Sequence, residues 1–121
     1  MTLYEKPRQP DDTTEYFVIL TNHHQIREWV DWPAEPTAEM VRKLVEPYVD
    51  GKLAHYAVFH HGAWCSLFLD VEGELKKKQL NEVATEIWRD HHLHHYGKPT
   101  KSYVLGDAVL FGKLVWREEW D

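Results

Sequence analysis

Four histidines fall within five residues, His91, His92, His94 and His95, the densest concentration of chemically capable side chains in the sequence. On a helix His91 and His95 stand at i and i+4, so their rings share one face. That is the spacing with which a helix offers two ligands to zinc. His92 and His94 point to opposite flanks and cannot join the same tetrahedron without unwinding. Further ligands have to come from His60, His61, His55 or Cys65. Neither a His-Glu-x-x-His motif nor a paired Cys-x-x-Cys accompanies them, so the spacing supplies two ligands and no more.

A simpler role competes with zinc. Protonated histidines in the last turn of a helix face the negative end of its dipole and gain ~0.3–1 kcal/mol each. His91 and His95 also continue an apolar stripe, as half-buried rings against a sheet. This reading needs no distant partners and is preferred, with no cofactor expected. Zinc on His91, His95, His60 and His61 is the alternative.

Nucleophilic chemistry has less support. Cys65 falls on the apolar side of an alternating strand, away from the solvent access that a reactive thiolate needs. Ser66 points the other way but sits in no strand-turn-helix elbow. The glycines of Gly106-Asp107 and Phe111-Gly112-Lys113 lack phosphate-loop spacing. Asp70, Glu72 and Glu74 read as turn charges. No catalytic residue is assigned.

The aromatic content says more. Six tryptophans and six tyrosines exceed what the core of a 121-residue chain needs. Trp29, Trp32, Trp116 and Trp120 lie near strand ends and termini, where full burial is hard. Tryptophan is enriched at the centres of protein interfaces, so these four are the expected binding residues.

Composition narrows the classes. Hydrophobic residues make up 43% and charged residues 28%, which fits one globular domain and not a disordered chain. A formal charge of −6 argues against direct nucleic-acid binding driven by phosphate neutralisation. Mimicry of DNA needs a denser acidic face than one interrupted by Arg42-Lys43 and Lys76-Lys77-Lys78. No apolar run approaches the ~20 residues of a membrane span, and a lone cysteine fits a reducing cytoplasm.

The elements that position these residues follow from periodicity. Residues 15–21 (EYFVILT) and 25–30 read as strands around an Asn22-His23-His24 turn. Thr37 caps a short helix whose stripe is Met40, Val41, Leu44 and Val45, ended by Pro47. Residues 53–59 and 63–71 form a hairpin around His60-His61-Gly62. Asn81 caps a helix with its stripe at Val83, Ala84, Ile87, Trp88 and His91, stopped by Gly97 and Pro99. Residues 103–105 and 108–116 close the chain as one or two strands. The expected architecture is α+β, of order ββαββαβ(β): residues 15–121 form a single domain behind a polar tail, residues 1–14. Its sheet is mostly antiparallel, with both helices on one face.

Several short motifs carry a resemblance. They are residues 40–48 with Asp50-Gly51, residues 67–75 (LFLDVEGEL), residues 80–85 (LNEVAT) and residues 104–109 (VLGDAV). Together they resemble an uncharacterised small domain family of phages, plasmids and Gram-positive bacteria. Its members carry a VGGYIE segment, a strand ending in DEEGKL, a helix start LPxNxxAT and a closing IVGDAVV strand. Residues 45–50 here replace the glycines of the first motif. The resemblance spans roughly residues 37–112 and implies mobile-element cargo in a host cytosol, with no catalytic residue to carry over.

The expected function is that of a small non-enzymatic binding protein. It would dock on a host or phage protein, inhibiting or modulating a host or defence factor, through an aromatic-rimmed acidic surface. A homodimer is its simplest variant, since an exposed strand edge beside tryptophans favours self-association. The alternatives are a metal- or nucleotide-dependent hydrolase built on the His91/His95 pair, and a sponge that holds a small nucleotide between tryptophan faces.

Overall fold

The computed structural model describes residues 14–20, 25–31 and 36–116. In chain order these form β1 (Thr14–Leu20), β2 (Gln25–Asp31), α1 (Ala38–Val45), β3 (Leu53–His60), β4 (Ala63–Asp70), α2 (Glu82–Tyr96) and β5 (Ala108–Phe111). The tail assigned to residues 1–14 lies outside the described residues except for Thr14, which opens β1.

The β3–β4 hairpin turns on two residues with left-handed backbone, His61 (φ 53°) and Gly62 (φ 80°). Two successive positive φ values make a turn whose twist matches that of the flanking strands. It sets the register from His60 opposite Ala63 to Leu53 opposite Asp70. All five strands join one antiparallel sheet in the order β2-β1-β5-β4-β3. The last strand in sequence is therefore central, and β2 and β3 are the edges.

Both helices begin where their caps place them. The Thr37 hydroxyl accepts the Met40 N–H at 3.2 Å and the Asn81 side chain accepts the Ala84 N–H at 2.9 Å, each satisfying a donor of the first helical turn. Gly97 ends α2 in the left-handed region, φ 72°.

The helices lie on opposite faces of the sheet, which corrects the expectation of one shared face. Val41 and Val45 of α1 pack with Phe17, Ile19, Phe68, Val109 and Phe111. Ala84 and Ile87 of α2 pack with Val18, Val58, Leu67, Ala108 and Leu110. Odd and even positions of β1 and β5 thus enter two different cores. The cause is visible in composition. The central strand AVLF (β5) and the neighbouring Phe17-Val18-Ile19 are continuous apolar runs, and a strand apolar on both sides needs cover on both. Fully burying one such valine stabilises by about 1.5–3 kcal/mol, so neither layer is dispensable.

Two polar anchors join the layers. Asn81 is 1% exposed; besides capping α2 it donates from Nδ2 to the Gly106 carbonyl, tying the helix start to the approach of β5. Ser66 is fully buried in β4 and its Oγ accepts the Val115 N–H at 2.9 Å. That bond holds residues 114–116 against the sheet in an irregular path. The closing strand stops at Phe111, short of the 108–116 run expected from alternation.

Candidate binding surface at the β3 edge

The register of the hairpin decides which backbone groups of β3 are spare. In a two-residue hairpin the pair flanking the turn is hydrogen-bonded and every second pair after it. The even positions of β3 therefore bond to β4, and His55, Ala57 and Phe59 direct their N–H and C=O groups away from the sheet. The outward N–H of Phe59 donates to Nδ1 of His91 at 2.9 Å. The C-terminal half of α2 thus closes the end of the edge. Ala57, two residues back, is exposed, and its outward backbone groups meet no partner among the described residues.

His91 is 4% exposed. Accepting with Nδ1 fixes the neutral ring as the tautomer protonated at Nε2. Burial lowers its pKa, and the neighbouring His95 and His92 lower it further. His95 stacks on it at 5.2 Å with planes 12° apart, and Trp64 sets its edge against both rings at 5.7 and 5.0 Å.

From this centre the rings continue without a gap. Phe59 meets Trp64 at 5.5 Å, Tyr96 meets His95 at 4.6 Å and His92 at 5.1 Å, and Trp88 links His92 to Tyr56 of β3. Tyr56, Phe59 and Trp64 are 37–40% exposed and Tyr96 is 60% exposed. Such rings offer large, rigid contact area at low entropic cost, with polar tips for hydrogen bonding.

The expected metal residues form two stacked pairs. His91 and His95 share a face as the spacing requires, but one nitrogen of His91 is committed to a backbone N–H. His60 and His61 stack on each other at the hairpin tip, 3.8 Å apart. Burial, and then His61, lowers the pKa of His60, while Asp90 acts against them. Among the described residues no three His, Cys, Asp or Glu side chains are arranged to hold a metal ion. Cys65 is buried, with its pKa raised by that burial, and its thiol is directed at the His60 and Ala63 carbonyls at 3.8 and 3.6 Å.

The expected tryptophans fare differently. Trp116 is a core residue, 9% exposed and set edge-on against Phe68 at 5.8 Å, which corrects its placement on an open rim. Trp29 lies in β2 with its side chain outside the described part, and Trp32 and Trp120 lie outside the described residues altogether. The exposed aromatic surface comes instead from Tyr56, Phe59, Trp64 and Tyr96. A partial signal for it exists in the sequence: Trp88, His92 and Tyr96 recur at i, i+4, i+8 along one helix row.

One pair has the look of a catalytic dyad. His55 Nε2 lies 2.9 Å from Ser66 Oγ. A nucleophile needs access, and Ser66 has none; its oxygen also accepts the Val115 N–H. The pair secures the segment after β5. Beside it a cleft of about 260 Å³ is bordered by Arg42, His55 and Trp116.

No family model matches the chain, and neither a curated protein nor a solved structure matches it. No helix among the described residues is long and apolar enough to cross a membrane.

Proposed function

We propose that this chain is a non-enzymatic protein-binding module that docks a partner protein on the aromatic–histidine surface at the β3 edge. The observation that carries the reading is the unbroken set of ring contacts from Tyr56 through α2 to Phe59, four of whose aromatic members are substantially exposed. The outward backbone at Ala57 adds a place where a partner strand can pair. Modulation of a host factor in the cytoplasm, by a protein carried on a phage or mobile element, is the setting that the resemblance to the phage and plasmid family supports. A second copy of the chain is the simplest partner, because an edge strand pairs readily with itself in antiparallel sense.

The test is site-specific photo-crosslinking in the native host, with the crosslinker placed at Tyr56 or Tyr96 and, as a control, at Glu39 on α1. A discrete adduct from the first two positions alone, lost in Trp64→Ala, supports the reading. Equal adducts from all three positions, or none from Tyr56 and Tyr96, would overturn it.

A further inference from the structure

The opposite flank of α2 carries a second feature, independent of the aromatic surface. His91 and Leu93 stand about 160° apart around the helix at 3.6 residues per turn. On the Leu93 side an open groove of about 700 Å³ runs between α2 and the segment that follows it. Its apolar floor is Leu80, Leu93, Tyr103 and Leu105. Leu80 is 41%, Leu93 48% and Tyr103 50% exposed, a solvent contact that single domains rarely leave uncovered over a contiguous patch.

One rim of the groove is acidic. Glu82, Glu86 and Asp90 line it at i, i+4 and i+8. Neither Glu82 nor Glu86 makes an ion pair among the described residues; Asp90 pairs with the exposed His94 of its own helix at 3.2 Å and also acts on His60 of the hairpin. Among the described residues the one cation in the lining, Arg89, donates to the Ser102 and Lys101 carbonyls at 2.9 and 3.1 Å. Its guanidinium is turned toward the far wall, and the acids are left as the open charge.

The walls also limit the form of an occupant. The segment opposite α2 has its backbone groups engaged inward: Lys101 and Ser102 carbonyls with Arg89, the Val104 carbonyl with the Asn81 N–H, and the Val104 N–H with the Thr85 hydroxyl. On the side facing α2 these groups are already taken and are not offered to a partner strand. A helix satisfies its own backbone and needs only an apolar face and complementary charge. From Glu82 to Leu93 the groove is about 16 Å long at 1.5 Å per residue, which is three helical turns.

We propose that this groove is a docking site for a basic amphipathic helix of a partner protein. Its apolar residues would lie on Leu80, Leu93, Tyr103 and Leu105, and its lysines or arginines would face Glu82, Glu86 and Asp90.

The test uses the full chain and three fluorescein-labelled synthetic peptides of about 18 residues, five turns of helix. One has leucines at i, i+3, i+4 and i+7 flanked by lysines, one has the same leucines flanked by glutamates, and one is a scramble of the lysine peptide. Fluorescence anisotropy should show saturable binding of the first alone, weakened about tenfold by Glu86→Lys and by Leu93→Asp, as expected for anchors at the centre of an interface. Both positions are exposed, so folding is preserved, and a thermal melt of each variant verifies it. Backbone chemical-shift changes should concentrate at residues 80–93 and 99–105. Equal binding of the scramble, shifts centred on Tyr56 and Trp64, or affinity unchanged in Leu93→Asp would each overturn the proposal. So would burial of this face in a homodimer, seen as a doubled mass in light scattering that Leu93→Asp reduces to one chain. Because Tyr56 and Trp64 are untouched, failure here leaves the crosslinking reading standing, and the converse holds.

Discussion

The Phe59 amide donates to Nδ1 of His91 at 2.9 Å across the open edge of the sheet. A side chain of α2 thus does for β3 what a neighbouring strand would do. The bond exists only while Nδ1 carries no proton. It also fixes how the ring stack of His91, His95 and Trp64 is seated against the hairpin.

This bond makes stability depend on pH in a defined direction. The unfolded histidine titrates near about 6.5, and burial, then His95 and His92, lower the folded value of His91. Below pH 6.5 the unfolded chain takes up a proton that the folded chain refuses, so stability falls as pH falls until the folded value is passed. His60 is shifted the same way. The urea midpoint should therefore drop between pH 7.5 and 5.5. His91→Phe keeps a ring but leaves the Phe59 N–H unpaired, which costs about 1–3 kcal/mol at pH 7.5. It should also flatten the pH profile, leaving the part due to His60. An unchanged profile in His91→Phe would show that this ring does not govern the edge.

Ser66 offers a separate test of the segment beyond β5. Its hydroxyl bonds the Val115 N–H and the His55 ring, and the residue is fully buried. Ser66→Ala should destabilise the fold by about 1–3 kcal/mol, the cost of leaving buried partners unsatisfied. Hydrogen exchange localises the effect: the Val115 amide should lose protection well before the amides of α1. If Val115 exchanges no faster than in the wild type, the hydroxyl is not what holds the segment.

Much of the secondary structure was legible in the sequence because it rests on local signals. Thr37 and Asn81 are cap residues by type, Gly97 by its conformational freedom, and Gly62 by the turn it permits. The mistaken part concerns faces. Alternation shows that Val18 opposes Phe17 and Ile19, but it does not say which side of the sheet a helix covers. That depends on β5 inserting between β1 and β4, a contact between residues about 90 positions apart in the case of Ile19 and Val109. The same long-range placement buried Trp116 and exposed Trp64, two residues that look alike in sequence. Likewise His91 reads as a zinc spacing until the Phe59 amide, 32 residues upstream, is brought to its ring.

Cys65 tests how tightly the turn end of the hairpin is packed. It is 3% exposed, paired across the hairpin with Val58 in the core under α2, and burial pushes its thiol above the ordinary range. The reactive species is the thiolate, so both effects act against modification. In native protein at pH 8 the thiol should react with a disulfide reagent at least about a hundredfold more slowly than in urea, tracking the rare open state. Fast native labelling would mean that this corner opens readily, and His91→Phe should then accelerate it further.

Asp70 is the strongest single polar anchor, and its loss should be the most damaging. Its side chain is wholly buried at the end of β4. Oδ1 accepts the Lys52 and Glu72 N–H groups at 2.9 Å each, and Oδ2 pairs with Lys78 at 2.8 Å and Lys76 at 3.2 Å. Burial alone would raise its pKa, but Lys78, the Glu72 N–H, Lys76 and the Lys52 N–H outweigh that and hold the carboxyl well below its usual range. Removing one member of a buried pair costs about 3–5 kcal/mol, and the partial exposure of Lys76 places Asp70→Asn near the lower end. The folded pKa lies below the unfolded value of about 3.9, so the contribution is present above that pH and is lost as pH falls through the folded value. The deficit of Asp70→Asn should thus stay constant from pH 5 to 8, unlike that of His91→Phe. Gly51 gives an independent check. Its backbone is left-handed (φ 152°), and an added Cβ would collide with the Asp70 carboxylate. Gly51→Ala should destabilise strongly alone and cost less on top of Asp70→Ala, which removes the colliding carboxyl group, with the strain of the left-handed backbone remaining. Fully additive losses would separate the turn from the carboxylate and refute the anchor.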